Sequence, residues 1–153
     1  MRPKVLCLIL ILTMPSLISA ENFGIVVHGG AGVLSNLSTE KQLEIENKVK
    51  NTLISAYKIL ENGGSSMDAV EFAVSEFEDS SLFNAGKGSV YNSDEVQEMD
   101  ASIMNGKDRS AGAVASVKTI KNPIKLARKV LEETNHILLV GEGAEIFAKN
   151  IGE

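Results

Sequence analysis

The sequence predicts a mixed α/β domain, in which grouped helices pack against a sheet that contains a hairpin. Three observations support this fold class. Two helical patterns follow each other between residues 39 and 78, two strand patterns follow each other between residues 100 and 120, and a helix, a strand and a helix complete the chain. Because the helices are grouped and neighbouring strands can pair directly, a strictly alternating α/β fold fits this order less well.

Composition and charge place the chain among ordinary globular domains. Of the 153 residues, 44% are hydrophobic and 23% are charged, and Trp is absent, so the core must rely on aliphatic side chains. This length suits one domain with a real core. The formal net charge is −5 and no block of basic residues occurs, which argues against a nucleic-acid partner.

The first 20 residues have the pattern of a secretory signal peptide, Met1–Ala20. Arg2 and Lys4 precede an apolar run from Val5 to Leu12, and the segment ends on a small residue. The run is too short to span a membrane, which takes about 20 apolar residues. We therefore expect a mature domain at residues 21–153, a secreted or periplasmic location, and no membrane association after cleavage.

The mature domain is expected to begin with a buried strand and a glycine loop. Phe23 to His28 is a short, β-branched apolar run, which suits a strand buried on both faces. It stops at Gly29-Gly30-Ala31-Gly32, a sequence that allows a sharp turn whose amides can face a ligand. The loop matches neither the Walker nor the Rossmann fingerprint, because the required residues and spacings are missing.

Two consecutive helices are predicted next. Thr39 to Gln42 reads as a capping box that opens the first helix, and Asn62-Gly63-Gly64 ends it. Ser65, with Asp68 three residues further on, opens the second helix. Apolar residues recur at helical spacing in both helices, and we interpret them as core: Leu43, Val49, Leu53, Tyr57 and Leu60 in the first, and Met67, Val70, Ala73, Val74 and Phe77 in the second.

A β-hairpin is predicted in the second half of the chain. Asp100 to Met104 and Ala111 to Ile120 are the two strands, and Asn105 to Asp108 is the turn between them. The second strand is rich in Ala and Gly. These small side chains suggest that another layer packs closely against it.

A helix, a strand and a short helix are predicted to follow the hairpin. Asn122 is expected to cap the helix, with Pro123 in its first position and its end at Glu133. His136 to Val140 is predicted as another buried strand, and the final helix ends near Lys149.

The stretch from Ser81 to Met104 combines glycines with polar side chains, which makes it the first candidate for a functional loop. An ordinary surface turn is an equally open interpretation. The rest of the chain shows little recognisable chemistry. The two histidines, His28 and His136, lie at ends of apolar strands, and the only cysteine, Cys7, falls in the leader. No Gly-x-Ser-x-Gly elbow or His-Glu-x-x-His site occurs, so residue chemistry alone does not reveal a reaction.

Seven ordered motifs run through the mature domain: His28-Gly29-Gly30-Ala31-Gly32, Gly63 to Val70, Leu82 to Val90, Glu98 to Met104, Gly112-Ala113-Val114, Lys121-Asn122-Pro123 and Gly141 to Glu145. Together they resemble the plant-type L-asparaginase / isoaspartyl peptidase family, the threonine-type β-aspartyl peptidases. The resemblance extends from about Phe23 to Phe147. The histidine and glycine motif at its start separates the chain from the related glycosylasparaginases.

The resemblance implies an N-terminal nucleophile hydrolase, an αββα sandwich of which this sequence holds the α-subunit half. In that family a precursor cleaves itself, and the new N-terminal Thr of the β subunit becomes the nucleophile while its free amine serves as the base. The substrates are the side-chain amide of L-asparagine and β-aspartyl peptide bonds, and the enzymes form (αβ)₂ dimers. The Gly-Thr-Val-Gly segment that carries the nucleophile is expected beyond Glu153, so we expect this chain to be inactive alone.

The resemblance also implies roles for residues of this chain. Asn84 is expected to support the absent nucleophile, and His28, Gly29 and Gly30 to form a loop at the substrate site. No organic cofactor is expected, but a monovalent cation, sodium or potassium, is. Its ligands would be main-chain carbonyl oxygens: those of Phe77, Glu78, Ser80, Phe83, Ala85 and Lys87.

Three hypotheses about the whole protein remain open at this point. The first is a fragment or truncated product of an isoaspartyl peptidase / L-asparaginase that needs its missing β-subunit portion. The second is an α-like chain that works with a separately encoded β chain. The third is a non-catalytic binding module that has kept the glycine loop and the cation loop.

Overall fold

The computed structural model describes residues 23–30 and 36–153. This part of the chain forms a mixed α/β fold, as predicted, with the following helices and strands in order: α1 (Thr39–Glu61), α2 (Ser66–Glu78), β1 (Met99–Met104), β2 (Ala111–Val117), α3 (Pro123–Glu133), β3 (Leu138–Val140) and α4 (Gly141–Ile151). The predicted signal peptide lies outside the described residues. Among the helices that are described, none is both long and apolar enough to cross a membrane.

The N-termini of the first two helices are fixed by side-chain caps. At α2 the predicted capping box is confirmed, because the Asp68 amide donates to Ser65 Oγ (3.1 Å) and the Ser65 amide donates to Asp68 Oδ2 (3.0 Å). At α1 the prediction was one residue late. Ser38 is the N-cap, and its Oγ accepts from the Lys41 amide at 3.2 Å, which leaves Thr39 as the first helical residue.

The apolar stripe predicted on α1 is only partly buried. Leu43 and Tyr57 are exposed, and the buried residues of this helix are Thr52 and Ala56. Within the described chain α1 packs chiefly against α2, so only one narrow side of it is covered. On α2 the prediction holds better, since Met67, Ala73 and Phe77 are buried and Val74 packs against the core, but Val70 is exposed.

The predicted hairpin is confirmed as the antiparallel pair β1–β2. The register runs from Met104 opposite Ala111 to Met99 opposite Val117, with an irregularity between Met99 and Ala101. Ser116 takes a left-handed conformation there (φ 55°), and its amide donates to Asp100 Oδ1 at 2.8 Å. This irregular geometry ends β2 at Val117, three residues before the predicted end.

The third strand pairs parallel to β2 and completes a sheet of order β1-β2-β3. Helix α3 lies directly on β2 and β1, and its buried residues Leu126 and Val130 join Val114 and Val117 in the core. The contact is closest at Gly112, where a Cβ atom would lie 2.6 Å from the Leu131 nitrogen and would also overlap the Ala127 carbonyl. The close layer suggested by the small residues of β2 is therefore α3.

Of two predicted buried strands, the first is wrong in the described chain, and the second is confirmed as a strand but is shorter and more exposed than expected. Residues 23–28 form no strand, and the side chain of Val26 is 94% exposed. The strand predicted from His136 begins only at Leu138, and Leu138 and Val140 are about half exposed. An apolar run is buried on both faces only if strands flank it and layers cover it. The described residues supply one small sheet, with α3 and α4 packed on it. Leu139 packs against this core, but Val26, Leu138 and Val140 stay exposed.

Candidate functional site

The loop between α2 and β1 folds tightly back onto the end of α2. A single 3₁₀ turn, Gly86–Gly88, lies at its centre, and Gly86 has a φ of 50°. A Cβ on Gly86 would lie 2.7 Å from the Cα of Glu78 and would overlap its carbonyl oxygen. A Cβ on Gly88 would overlap the Phe83 carbonyl and lie 3.0 Å from that of Ser80. Only glycine permits this approach, so the loop gathers several carbonyl oxygens around its own backbone.

The six main-chain carbonyls predicted to hold a cation all belong to this loop or to the end of α2. Two of them already accept hydrogen bonds: Phe77 from the Ser80 amide (3.1 Å) and Ala85 from the Gly88 amide (3.0 Å). The carbonyls of the other four accept none within the described chain: Glu78, Ser80, Phe83 and Lys87. Free carbonyl oxygens beside glycines too crowded for a side chain are a donor set that suits a hard cation.

Asn84 lies at the start of the same loop and is exposed. Its Oδ1 accepts a hydrogen bond from the Val90 amide at 3.0 Å, which closes the loop from residue 84 to residue 90. Its Nδ2 donates to no group of the described chain, so both N–H groups of this amide remain available on a fixed side chain. Asn84 also lines a cavity of about 350 Å³, together with Glu78, Asp100 and Ser102.

Glu78 is a buried carboxylate beneath this loop, with only 3% of its surface exposed. Its Oε1 accepts from the Ile124 amide at 3.0 Å and so caps the N-terminus of α3. Its Oε2 is buried without a partner in the described chain, and burial raises the pKa of the carboxyl to about 7. Asn122, which the sequence predicts as the cap, makes no side-chain cap bond and instead donates from Nδ2 to Asp79 Oδ1 at 3.0 Å.

The glycine loop approaches this region through Phe83. A Cβ on Gly29 would lie 3.1 Å from the ring of Phe83, which itself stacks at 4.4 Å between ring centroids on Phe77. Gly30 has a φ of 110°, and its amide donates to Nδ1 of His28 at 3.1 Å. The structure thus brings the predicted substrate-site loop and the predicted cation loop together around one aromatic side chain. Ala31 and Gly32, the rest of the glycine motif, lie outside the described residues.

A second polar cluster lies where β2 ends and α4 begins. The Glu145 carboxylate accepts from the amides of Lys118 (2.6 Å) and Thr119 (3.0 Å) and from the Thr119 hydroxyl, while Lys118 Nζ pairs with Glu98 at 2.9 Å. Sequence analysis missed this cluster, because Glu98, the adjacent pair Lys118 and Thr119, and Glu145 come from three segments that lie 20 to 47 residues apart in the chain. It ties the loop after β2 to α4, and through Glu98 it reaches the cavity that Asn84 also lines.

The described residues contain no group of three or more His, Cys, Asp and Glu side chains that could hold a metal ion. This finding concerns side chains only, and main-chain carbonyls such as those of the loop fall outside it. His136, the second histidine, is exposed at the far end of α3, where its amide donates to the Thr134 hydroxyl at 3.0 Å. The site therefore consists of the loop, the end of α2 and the glycine motif.

Comparison with known proteins assigns the chain to a family, and the matched region includes this loop. The model of the Asparaginase family matches residues 21–153, so the chain belongs to that family. The mixed α/β architecture with its small mixed sheet agrees with part of an N-terminal nucleophile hydrolase fold.

Among curated relatives, the isoaspartyl peptidase/L-asparaginase of Mus musculus is 51% identical over 128 residues, which covers 84% of this chain and 39% of the relative. That of Bos taurus is 51% identical over 124 residues, 81% of this chain and 40% of the relative. The plant-type L-asparaginase of Pyrococcus horikoshii is 50% identical over 128 residues, 84% of this chain and 41% of the relative. The chain thus spans about two fifths of the length of these relatives.

Proposed function

We propose that this chain provides the α-subunit portion of a hydrolase that cleaves β-aspartyl peptide bonds or the side-chain amide of L-asparagine. The observation that carries the proposal is a sequence identity of about 50% to proteins named isoaspartyl peptidase/L-asparaginase and plant-type L-asparaginase. The matched region includes the whole loop around Asn84 and the glycine motif, the two parts that the structure brings together at Phe83.

In the proposed reaction the nucleophile is an N-terminal threonine freed by self-cleavage, and its own amine is the base. Neither group is expected within residues 21–153. This chain's contribution is to hold neighbouring groups in place. Asn84 is fixed through the Val90 amide and keeps its Nδ2 free to donate to the threonine, while the glycine motif at His28, Gly29 and Gly30 offers backbone amides on the substrate side.

We further propose that the loop binds a monovalent cation, sodium or potassium. The carbonyls of Glu78, Ser80, Phe83 and Lys87 are the free oxygen ligands, and that of Ala85 retains a second lone pair. The carbonyl of Phe77, the sixth proposed ligand, faces the amides of Asp79 and Ser80. When bound, the cation supplies positive charge that holds these oxygens together. The chain's own part is to keep the loop closed next to Asn84, through the contacts at Gly86 and Gly88.

Residues 21–153 alone are proposed to be inactive, to need a β-subunit portion, and to assemble with it as an (αβ)₂ dimer. Export to the periplasm or the extracellular space is proposed from the leader at residues 1–20. Incubating purified residues 21–153 with L-asparagine and with a β-aspartyl dipeptide should release neither ammonia nor free amino acid above background. Release by the isolated chain would contradict this part of the proposal.

A chimera tests the function directly. Residues 21–153 are joined to the part of the Mus musculus relative that follows its matching 128 residues, and the product is tested for self-cleavage and for hydrolysis of both substrates. We expect two subunits on a denaturing gel and measurable hydrolysis. Asn84→Ala should lower kcat and leave the fold intact, whereas Asn150→Ala, an exposed asparagine on α4, should change neither. A chimera that folds and self-cleaves but hydrolyses neither substrate would refute the proposed function.

A further inference from the structure

The sequence Asn36-Leu37-Ser38 fits the acceptor pattern for N-linked glycosylation, Asn-x-Ser/Thr with x other than Pro. Of the asparagines in the 153 residues, Asn36 alone is followed by a hydroxyl residue two positions later. Because this short motif often occurs by chance, two further features are needed: the position of Asn36 in the structure and the export of the chain predicted from residues 1–20.

The position of Asn36 suits an attached glycan. The residue is exposed and lies two positions before Ser38, the N-cap of α1, outside any sheet or long helix. The neighbouring backbone is already held without it, because Ser38 Oγ accepts from the Lys41 amide (3.2 Å) and the Leu37 carbonyl accepts from Gln42 Nε2 (2.9 Å). Among the described residues, a bulky group on the exposed Asn36 side chain would therefore remove no hydrogen bond and fill no packed space.

We propose that Asn36 is a modification site, an acceptor of an N-linked oligosaccharide when the chain enters a secretory compartment. The donor class is an oligosaccharide linked to a lipid through a diphosphate. In the transfer, Asn36 Nδ2 forms a bond to the anomeric carbon, the bond from that carbon to the diphosphate oxygen breaks, the lipid diphosphate leaves, and the amide nitrogen loses one proton. A glycan on Asn36 requires the start of α1 to face solvent, because the glycan would not fit into a buried subunit interface.

The site goes beyond the proposed hydrolase function and does not depend on it, although it does depend on export. The test translates the full chain with eukaryotic microsomes, once with its own residues 1–20 and once with a foreign leader of known efficiency. Protease protection reports translocation, and an endoglycosidase reports the glycan as a mobility shift that it removes.

We expect one glycan on the wild-type chain, on Ser38→Thr and on the control Asn150→Gln, and complete loss of the shift in Asn36→Gln. Leu37→Pro should also lose it, because it keeps both the acceptor and the hydroxyl but places Pro between them. A translocated wild-type chain without the shift would overturn the proposal, as would a shift that persists in Asn36→Gln. The foreign leader separates a failure of export from a failure of the acceptor. Whichever of the two leaders translocates the chain, the translocated product shows whether Asn36 is glycosylated.

Discussion

Glu78→Gln should remove a pH dependence from the stability of this domain. The folded-state pKa of Glu78 is raised to about 7 from an ordinary value of 4.5, because burial disfavours the charged form. Below pH 4.5 the buried side chain is protonated and contributes its full share to the stability of the fold. That contribution is lost as the pH rises through 7 and the carboxyl becomes charged. Between pH values well below 4.5 and well above 7, the raised pKa lowers the free energy of unfolding by about 3 kcal/mol, at about 1.4 kcal/mol for each pKa unit.

Glutamine keeps an Oε1 atom that can accept from the Ile124 amide but carries no charge at any of these pH values. The new amide nitrogen takes the place of the unpartnered Oε2 and adds a cost that is independent of pH. The assay is urea unfolding of residues 21–153 at pH 5 and pH 8, in tetramethylammonium chloride so that no small alkali cation is present. Between pH 5 and pH 8, we expect the difference in unfolding free energy between wild type and variant to shift by about 2.5 kcal/mol in favour of the variant.

Glu46→Gln is the matched control, since Glu46 is exposed on α1 and loses the same charge. Its free energy of unfolding should follow that of the wild type at both pH values. If the free energy of unfolding of Glu78→Gln changes between pH 5 and pH 8 by the same amount as that of the wild type, the Glu78 carboxyl is not the buried, unpaired group described above.

The remaining predictions concern the loop and a helix cap. Gly86→Ala should cost about 3 kcal/mol or more in unfolding free energy, since it combines a left-handed φ with a backbone collision, whereas Gly106→Ala, with open space around it, should cost under about 1 kcal/mol. Ser65→Ala should cost about 1 kcal/mol by the same urea assay, and an unchanged midpoint would mean that the capping box contributes nothing. Sodium or potassium should raise the thermal midpoint of the domain relative to tetramethylammonium at equal ionic strength, and identical midpoints would remove the cation from the proposal.

Features carried by neighbouring residues were predictable from the sequence. The capping box at Ser65 and the hairpin of β1 and β2 were both found where expected, because each depends on residues that are close in the chain. The small residues of β2 correctly indicated a closely packed layer, since they leave room for α3. The resemblance to the isoaspartyl peptidase and L-asparaginase family supplied the proposed site residues, which residue chemistry alone did not.

Features that depend on distant residues were missed. The cap of α3 is provided by Glu78, which lies 46 residues before Ile124, so the local Asn-Pro signal pointed to the wrong side chain. The exposure of Val26 and Leu138 was missed for a related reason. An apolar run shows that a segment can be buried, but what covers it lies elsewhere, and the described chain does not provide that cover.

The contact at Gly112 links the sheet to the loop in a way that neither part shows alone. Because no side chain stands between Gly112 and the backbone of α3, the strand and the helix lie close together at this point. The first backbone amide of the same helix, that of Ile124, donates to the Glu78 carboxylate, and the carbonyl of Glu78 lies beside Gly86 in the loop that we propose binds a cation. A methyl group at position 112 would push α3 outward and draw Ile124 away from that carboxylate. A change in the middle of the sheet would thus loosen the end of α2, and the geometry around Asn84 would change without any substitution in the loop itself.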